Sequence, residues 1–353
     1  MVSSISKAFR LVYYNICIFN CLFLNTNGYI ISHNINPLFN NWNCLGIKDN
    51  IDFTKPHISN VGELPLVTWK DSNNKLHTSI NICKHMGSTF DKGSVSDGCL
   101  TCPYHGLTYS EKDKVGVTIE HEGKVFWSYL PNTYQPDNIP FYGNKNYKTS
   151  FIEIDMECSL MDSAYNTMDL LHPAYVHSGI LGFGNKNPPH RIKDHEYKNT
   201  HTIGLSFEYQ STGLLQKINK NTPSTLNYHM FKFPCFTWSR VTFNKNNHLI
   251  VGVNLLPIGV KKTRWFITVV HNYMKQNYIE EQFMKSMAMT ILLQDQNQMK
   301  NQYKENDLKK TVVLTHRFPD EKPIHKLHKL YRNITYPNLM HCIDLYNDYK
   351  MRF

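Results

Sequence analysis

The chain has 353 residues, 41% hydrophobic and 13% aromatic, a composition that excludes a largely disordered protein. The length is sufficient for two domains with a substantial core. The formal net charge of +10 would suit a nucleic-acid partner, but the lysines are spread with asparagines through loops such as Asn144–Asn146. No recognised nucleic-acid motif accompanies them, so we expect solvated loops and no nucleic-acid partner. An acidic redox protein stays open as a partner for this basic surface.

The nine cysteines are scattered without the framework of a disulfide-stapled secreted domain. This pattern predicts a reducing compartment, either cytoplasmic or plastid-like. The N-terminal segment leaves the choice between these compartments open.

Residues 1–36 are predicted to form a leader or extension. Two basic residues precede an apolar run, Leu11–Leu24, which two asparagines interrupt. The run is shorter than the ~20 residues that a helix needs to span a bilayer. A signal- or transit-like leader is the first interpretation. The alternative is an amphipathic element packed on the next domain, and membrane association through residues 11–24 also stays open.

Residues 37–150 are predicted to form an all-β domain. Short stretches with strand-like alternation are separated by Asn, Asp and Gly turns, which is typical of antiparallel sheets. These stretches are Leu64–Trp69, Leu76–Ile82, Val115–Ile119 and Lys124–Tyr129. A loop rich in Pro, Asn and Gly follows from Pro131 to Tyr147 and places the domain boundary near residue 150.

Two short boxes in this domain carry residue types that bind metals, Cys83-Lys84-His85 and Cys102-Pro103-Tyr104-His105. Two thiolates with two imidazoles suit a structural zinc or a [2Fe–2S] centre in which His replaces Cys on one iron. Zinc sites usually pair like ligands, whereas both boxes here are mixed. The pattern therefore favours a cluster held by Cys83, His85, Cys102 and His105.

Neighbouring residues bear on this choice. Gly87 and Gly106 follow the two histidines, where loops close to a cluster need tightly turned backbone. Cys99 forms a Cys-x2-Cys spacing with Cys102, which by itself would indicate a redox dithiol or half of a zinc site. Nothing else in the sequence supports that alternative.

Residues 151–330 are predicted to form a second domain, an antiparallel sheet with helices against one face. A short helix is predicted at Asn166–Val176 and a long one at Tyr278–Gln302. Residues 331–353 are expected to form a basic C-terminal tail. The predicted strands are Phe151–Glu157, Thr202–Tyr209, Asn227–Phe233, Ser239–Phe243, Leu249–Leu256 and Arg264–Asn272.

The short helix contains the pattern Asp-x2-His-x4-His, formed by Asp169, His172 and His177. Histidines five residues apart lie about 140° apart around a straight helix and would not share a face. Pro173 disfavours helical geometry at His172, so a bend there could bring both imidazoles onto one metal. Two imidazoles and a carboxylate form the facial triad of non-haem Fe(II) sites. Two ordinary histidines near a helix end are the alternative, and the pattern alone does not choose.

A third ligand is expected from the long helix. Asp295 lies in the middle of an apolar face at helical spacing, together with Met284, Ala288 and Ile291. A carboxylate is costly to bury there without a cation or a strong hydrogen-bond partner, and Fe(II) would be such a partner. Asp307 and Glu305 are the second choices, but they follow the helix among lysines.

Both ligand regions resemble one family. The text CKHMGS…GCLTCPYHG resembles the Rieske domain of Rieske non-haem iron oxygenases, and Asn166–His177 is similar to the iron-binding motif of the same family. The length and layout resemble its homomeric branch of aromatic-ring-hydroxylating and pheophorbide a oxygenase-like proteins. The family often has an acidic residue where this chain has Tyr165. The resemblance implies an α+β chain, with an all-β Rieske [2Fe–2S] domain followed by an antiparallel-sheet helix-grip (START-like) catalytic domain.

The resemblance also implies roles for individual residues. His172 and His177 match the family's iron ligands, and Asp295 lies in a sequence segment similar to the one that contains the family's third ligand. Asp169 matches a carboxylate that bridges a ligand histidine and a Rieske histidine, by position His105, of a neighbouring subunit. A head-to-tail homotrimer is implied.

The expected function follows from these roles. The chain would use O2 and electrons from a separate reductase or ferredoxin, with NAD(P)H contributing only indirectly. It would hydroxylate, demethylate or desaturate a small apolar organic substrate, such as a tetrapyrrole. The competing hypothesis is a Rieske electron carrier or ligand-binding module without a catalytic iron. Six aromatic residues between positions 207 and 238 could line an apolar substrate site or belong to the hydrophobic core, and the core is the preferred interpretation. They are Phe207, Tyr209, Phe231, Phe233, Phe236 and Trp238.

Overall fold

The computed structural model describes residues 37–181, 189–196, 201–209, 225–242, 247–273, 278–302, 326–327 and 330–331. The predicted leader, the second-choice ligands Glu305 and Asp307, and the C-terminal tail beyond residue 331 lie outside the described residues. Among the helices that are described, none is both long and apolar enough to cross a membrane.

The first part of the described chain is built from short antiparallel strands. A short helix, α1 (Pro37–Asn40), precedes them. Three three-stranded sheets form within residues 43–128, with strand orders β1-β9-β8, β2-β3-β4 and β5-β6-β7. The strands are β1 (Asn43–Ile47), β2 (His57–Val61), β3 (Leu64–Lys70), β4 (Leu76–Ile80), β5 (Ser94–Ser96), β6 (Cys99–Thr101), β7 (Thr108–Tyr109), β8 (Val117–His121) and β9 (Lys124–Ser128).

The second part is a seven-stranded antiparallel sheet, counted over the described strands, with helices α2 and α4 on one side. Its strand order is β10-β16-β15-β14-β13-β12-β11. It begins at Lys148, while the domain boundary near residue 150 stays a prediction. The elements are β10 (Lys148–Met156), α2 (Leu160–Met168), α3 (His172–Val176), β11 (His190–Glu196), β12 (Thr202–Tyr209), β13 (Thr225–Lys232), β14 (Phe236–Thr242), β15 (His248–Gly259), β16 (Lys262–His271) and α4 (Tyr278–Asn301).

The strand register assigns side chains to the two faces of this sheet, because directly paired residues point to the same side. Phe231, Thr237, Val253 and Ile267 form one such row. Its buried apolar members share a core with residues of α2 and α4, and we call this side the helix face. The helix face is thus the side of the sheet that meets the predicted ligand-bearing helices.

The predicted aromatic group is divided between the two faces. Phe207 and Phe231 lie on the helix face. Phe236 and Trp238 lie on the opposite face, where they pack with Ile139 from the loop between β9 and β10. These two aromatic residues therefore belong to a second core and cannot line a site under the helices, as the preference for core predicted.

A buried lysine joins the two parts of the chain. Lys124 of β9 is 1% exposed, and its ammonium donates hydrogen bonds to Asn254 Oδ1 (2.9 Å) and Thr268 Oγ1 (2.8 Å) of the large sheet. Burial lowers the pKa of Lys124, because removing the ammonium from water disfavours its charged form. The contact fixes the small sheets against the opposite face of the large sheet.

Truncation of this lysine should destabilise the protein. Lys124→Ala leaves buried oxygens of Asn254 and Thr268 without their donor, which we expect to cost about 1–3 kcal/mol. The midpoint of thermal unfolding should fall by several degrees. The exposed Lys145 provides the matched control, since Lys145→Ala should change stability by less than about 0.5 kcal/mol. Equal midpoints for the two variants would contradict a structural role for Lys124.

Candidate metal centres

The two predicted cluster loops have the same backbone geometry. Cys83 follows β4 and Cys102 follows β6. In each loop the cysteine carbonyl accepts a hydrogen bond from the glycine four residues later, Gly87 (2.8 Å) or Gly106 (3.1 Å). The cysteine amide donates to the carbonyl five residues later, at 2.7 and 2.8 Å. Both glycines have left-handed backbone, with φ of 74° and 72°, which side chains other than glycine rarely adopt.

The four predicted cluster ligands lie together at one end of the small sheets. The thiols of Cys83 and Cys102 are buried, and Cys102 lies close enough to Cys83 to contribute to lowering the pKa of its thiol. His85 and His105 are exposed, with ring centroids 4.8 Å apart. Two buried sulfurs beneath two surface imidazoles are a donor set that fits a mixed-ligand [2Fe–2S] centre.

Tyr109 supports the first thiol. The amide of Lys84 donates to the Tyr109 hydroxyl oxygen (2.8 Å), and that hydroxyl donates its own proton to Cys83 Sγ (3.3 Å). Burial opposes ionisation of Cys83, but the Tyr109 hydroxyl and the backbone amides of His85 and Met86 outweigh it, so the pKa of this thiol is lowered. The site thus favours the thiolate that a metal requires.

The second predicted site begins at a break between two helices. A capping box of Ser159 and Asp162 starts α2, earlier than the predicted Asn166. The helix ends at Met168, and the next residue, Asp169, accepts hydrogen bonds at Oδ1 from the amides of Leu171 (2.8 Å) and His172 (3.2 Å). The predicted bend at His172 is therefore wrong in position. Pro173 lies in the first turn of α3, where a missing amide is tolerated.

The break brings three side chains together. His172 Nε2 lies 3.4 Å and His177 Nε2 lies 3.3 Å from Asp295 Oδ1. One ligand atom from each residue lies within 4.8 Å of the others, a group that could hold a metal ion. His177 is 2% exposed and Asp295 is 5% exposed, so the group is largely shielded from water.

Neighbouring oxygens orient both imidazoles. His172 Nδ1 lies 2.8 Å from the Asp169 carbonyl, and His177 Nδ1 lies 3.0 Å from Gln294 Oε1. These oxygens only accept hydrogen bonds, so each Nδ1 carries a proton, and each Nε2 faces Asp295, where it binds a metal ion when deprotonated and donates to the carboxylate when protonated. Asn166 Nδ2 donates to Asp295 Oδ1 (3.2 Å). Two neutral imidazoles and a carboxylate around one point are a donor set that fits Fe(II).

The charge of Asp295 depends on its partners. Burial by itself raises the pKa of a carboxyl, but hydrogen bonds and positive charge from His172 and His177 reverse this effect, so the pKa of Asp295 lies well below its ordinary value. Burial likewise opposes the charge of His172, and Asp295 outweighs it and raises the pKa of His172. The buried Asp295 carboxylate is thus stabilised by positive charge beside it, carried either by a protonated imidazole or by a bound metal ion.

Comparison with known proteins agrees with this geometry. Residues 41–126 match the family model described as the Rieske [2Fe-2S] domain. The oxygenase component of 3-ketosteroid-9-alpha-monooxygenase from Rhodococcus rhodochrous is 26% identical over 163 residues, which cover 38% of this chain and 41% of that protein. The chain is homologous to the Rieske oxygenases. Choline monooxygenase, chloroplastic, from Arabidopsis thaliana is 32% identical over 73 residues, 20% of this chain and 17% of that protein. The matches of this Rieske oxygenase homologue thus span less than half of these relatives.

Solved structures show the same fold over most of the chain. Dicamba monooxygenase bound to 3,6-dichlorosalicylic acid aligns with a TM-score of 0.72 and 13% identity, covering 84% of this chain and 98% of that chain. NdmA from Pseudomonas putida CBB5 with caffeine aligns with a TM-score of 0.69 and 14% identity, covering 84% and 90%. The predicted fold class is confirmed. The predicted cofactors, the [2Fe–2S] cluster and the mononuclear iron with O2, are confirmed for the family, whereas the individual ligands stay predictions.

Sequence reasoning did not find every residue that shapes the two sites of this Rieske oxygenase homologue. Tyr109 and Gln294 were not predicted. Tyr109 lies seven residues after Cys102, and the surrounding sequence does not indicate that the Tyr109 hydroxyl contacts Cys83 in the other cluster loop. Gln294 directly precedes the predicted ligand Asp295, and this position could have indicated that Gln294 contributes to the site. Cys99 is half-buried, and neither it nor Cys102 forms a disulfide among the described residues.

Removal of the Tyr109 hydroxyl should lower the reduction potential of the cluster. A hydrogen bond to a ligand sulfur stabilises the more negative reduced form. One hydrogen bond of about 1 kcal/mol corresponds to ~40 mV for a one-electron couple. Redox titration of Tyr109→Phe, followed by visible absorbance, should show a shift of this size. Tyr134→Phe is the matched control, because Tyr134 is 97% exposed. An unchanged potential in Tyr109→Phe would refute the proposed tuning.

Proposed function

We propose that the chain is the oxygenase component of a Rieske-type monooxygenase or dioxygenase that hydroxylates, demethylates or desaturates an apolar organic substrate. The convergence of His172, His177 and Asp295 supports this proposal most directly. A Rieske centre alone transfers single electrons, whereas a second site with open metal positions permits chemistry on O2. The named relatives are monooxygenases of varied substrates, which supports the reaction class and leaves the substrate to be determined.

The proposed division of labour follows from the two donor sets. Cys83, His85, Cys102 and His105 would hold the [2Fe–2S] cluster, and His172, His177 and Asp295 would hold the mononuclear iron. When bound, the cluster supplies single electrons and the iron supplies positions for O2. Asp169 and Gln294 hold the Nδ1 protons of the two imidazoles, which keeps both Nε2 atoms free for the metal. The low exposure of His177 and Asp295 shields the proposed iron site from water.

A homotrimer would complete the electron path. The rim of the cluster loops exposes Met86 (63%) and Tyr104 (60%) beside His105. Asp169 keeps 40% of its side chain exposed next to His172. We propose that Asp169 accepts a hydrogen bond from His105 of the partner subunit, so that each active site forms between two chains. This arrangement would also cover the apolar rim.

Electrons would come from a separate reductase or ferredoxin. The sequence contains neither a flavin nor a nicotinamide fingerprint, and several relatives are oxygenase components by name. The scattered cysteines of the sequence, which lack the framework of a disulfide-stapled domain, support a reducing compartment. A cytoplasmic or plastid-like location is the corresponding proposal. For the substrate, a bulky apolar molecule such as a tetrapyrrole remains the proposal.

Iron content distinguishes the oxygenase from an electron carrier. An oxygenase should contain about three iron atoms per chain, two in the cluster and one mononuclear, whereas a carrier should contain about two. His172→Ala should lose one iron and keep the visible spectrum of the cluster. Elemental analysis of purified protein, with His195→Ala as control, gives the answer. Two irons in the wild type, unchanged by His172→Ala, would sink the oxygenase proposal.

A substitution at Asp169 tests the path between subunits. Asp169→Asn keeps the Oδ1 acceptor that caps the helix break, so both metals should remain bound. Loss of the carboxylate charge should reduce substrate-coupled O2 consumption by at least ~100-fold, because the bridging hydrogen bond is weakened or lost. An oxygen electrode and iron analysis measure the two properties. Full turnover with normal iron would refute the bridge.

A further inference from the structure

A chain of hydrogen bonds crosses β13 and β14 on the helix face. The Thr237 hydroxyl donates to the Met230 carbonyl (2.7 Å), and Thr237 Oγ1 lies 3.2 Å from His229 Nε2. His229 Nδ1 in turn forms a hydrogen bond with Ser239 Oγ. His229 and Ser239 are directly paired across the two strands, so their side chains point to the same side.

The directions of these bonds follow from the first one. The Thr237 hydroxyl donates its single proton to the Met230 carbonyl, so Thr237 Oγ1 must accept the hydrogen bond that it shares with His229 Nε2. Burial, with a smaller contribution from the charge of His172, lowers the pKa of His229 to about 4. The imidazole is therefore neutral at pH 7, and its Nδ1 carries only a lone pair. Ser239 must direct its proton to that lone pair.

The serine consequently presents only lone pairs to its surroundings. His229 (5% exposed) and Thr237 (2% exposed) are buried, whereas Ser239 is only partly buried and forms the open end of the chain. A hydroxyl whose proton is already used can accept a hydrogen bond but cannot donate one. A ligand group beside Ser239 Oγ is therefore best satisfied if it carries a proton.

The direct neighbours of the Ser239–His229 pair on the two adjacent strands are aliphatic. Val251 is its direct neighbour on β15, and Leu205 lies beside His229 on β12. The charged form of His172 contributes to the lowered pKa of His229, so the hydrogen-bond chain lies within electrostatic range of the proposed iron site. A substrate on this face of the sheet would meet these aliphatic side chains and the fixed acceptor Ser239 Oγ.

We propose that Ser239 is a substrate-binding residue that selects a hydroxyl or N–H donor on an otherwise apolar substrate. His229 and Thr237 are positioning residues, because they act by fixing the proton of Ser239. The inference rests on the proposed function, since it assigns this face of the sheet to the substrate of the oxygenase. It narrows the substrate class from apolar molecules to apolar molecules with one hydrogen-bond donor.

The opposite face of the sheet offers a matched control. His195 Nε2 and Ser206 Oγ form a similar pair at 2.8 Å. Ser206 is paired with Tyr228, the residue before His229, and so points away from the helices. Ser206→Ala thus removes a serine hydroxyl that forms a hydrogen bond with a histidine, but it leaves the proposed substrate-binding face of the sheet unchanged.

The test measures binding of two probes to the iron-loaded full chain by equilibrium dialysis. The probes are 2-naphthol, which has a donor, and 2-methoxynaphthalene, which has only an acceptor. The wild type should bind 2-naphthol roughly three- to tenfold more tightly, the range expected for one net hydrogen bond. Ser239→Ala should reduce this ratio to about one by weakening 2-naphthol alone. His229→Leu should free the serine proton and strengthen binding of the ether.

The outcomes separate this inference from the proposed function. A wild-type ratio of about one, binding of neither probe, or an equal loss in Ser206→Ala and Ser239→Ala would overturn the inference. If His229→Leu and the wild type show the same ratio of 2-naphthol to ether binding, His229 does not fix the proton of Ser239. Iron is measured in the same samples. Selectivity without a third iron would overturn the oxygenase proposal and leave the donor-selective site standing.

Discussion

The buried carboxylate of Asp295 is the constraint on which the arrangement of the second half depends. A charged group with 5% exposure is stable only beside opposite charge or strong hydrogen-bond donors, and α4 offers none on its apolar side. The partners come instead from His172 and His177, which reach Asp295 because the chain breaks between α2 and α3. The break, the helix and the sheet beneath them are thus arranged around one anion.

The large sheet separates two environments by the alternation of its strands. Its helix face combines an apolar core with the Thr237–His229–Ser239 hydrogen-bond chain and packs against α2 and α4, the second of which carries the candidate metal ligand Asp295. Its other face packs against the loop between β9 and β10 and receives Lys124 from the small sheets. One face can therefore serve a reaction while the other attaches the electron-transfer domain. A shift of one residue in register would exchange the two sets of side chains.

Prediction from the sequence was most accurate where the apolar residues followed a single periodicity, such as the 3.6-residue repeat of a helix. The apolar repeat of α4 placed Asp295 on the buried side, and the structure describes the helix as Tyr278–Asn301, close to the predicted Tyr278–Gln302. The strands β5 to β7 were not predicted, because segments of two or three residues show no alternation. The helix bend was predicted at His172, directly before Pro173, since a proline is a strong signal for a helix boundary. The Asp169 side chain, which caps the break by hydrogen bonds, carries a weaker signal in sequence.

The sequence by itself determined the types and the spacing of the candidate ligands, because metal chemistry limits which side chains can bind and how far apart they lie along a loop. It also determined that α4 buries a carboxylate. Only the tertiary structure decided which hydroxyl reaches Cys83, which oxygens hold the Nδ1 protons of His172 and His177, and which face of the sheet Ser239 occupies. Those contacts join residues up to 117 positions apart in the chain, and their directions depend on strand register and helix packing that no local pattern encodes.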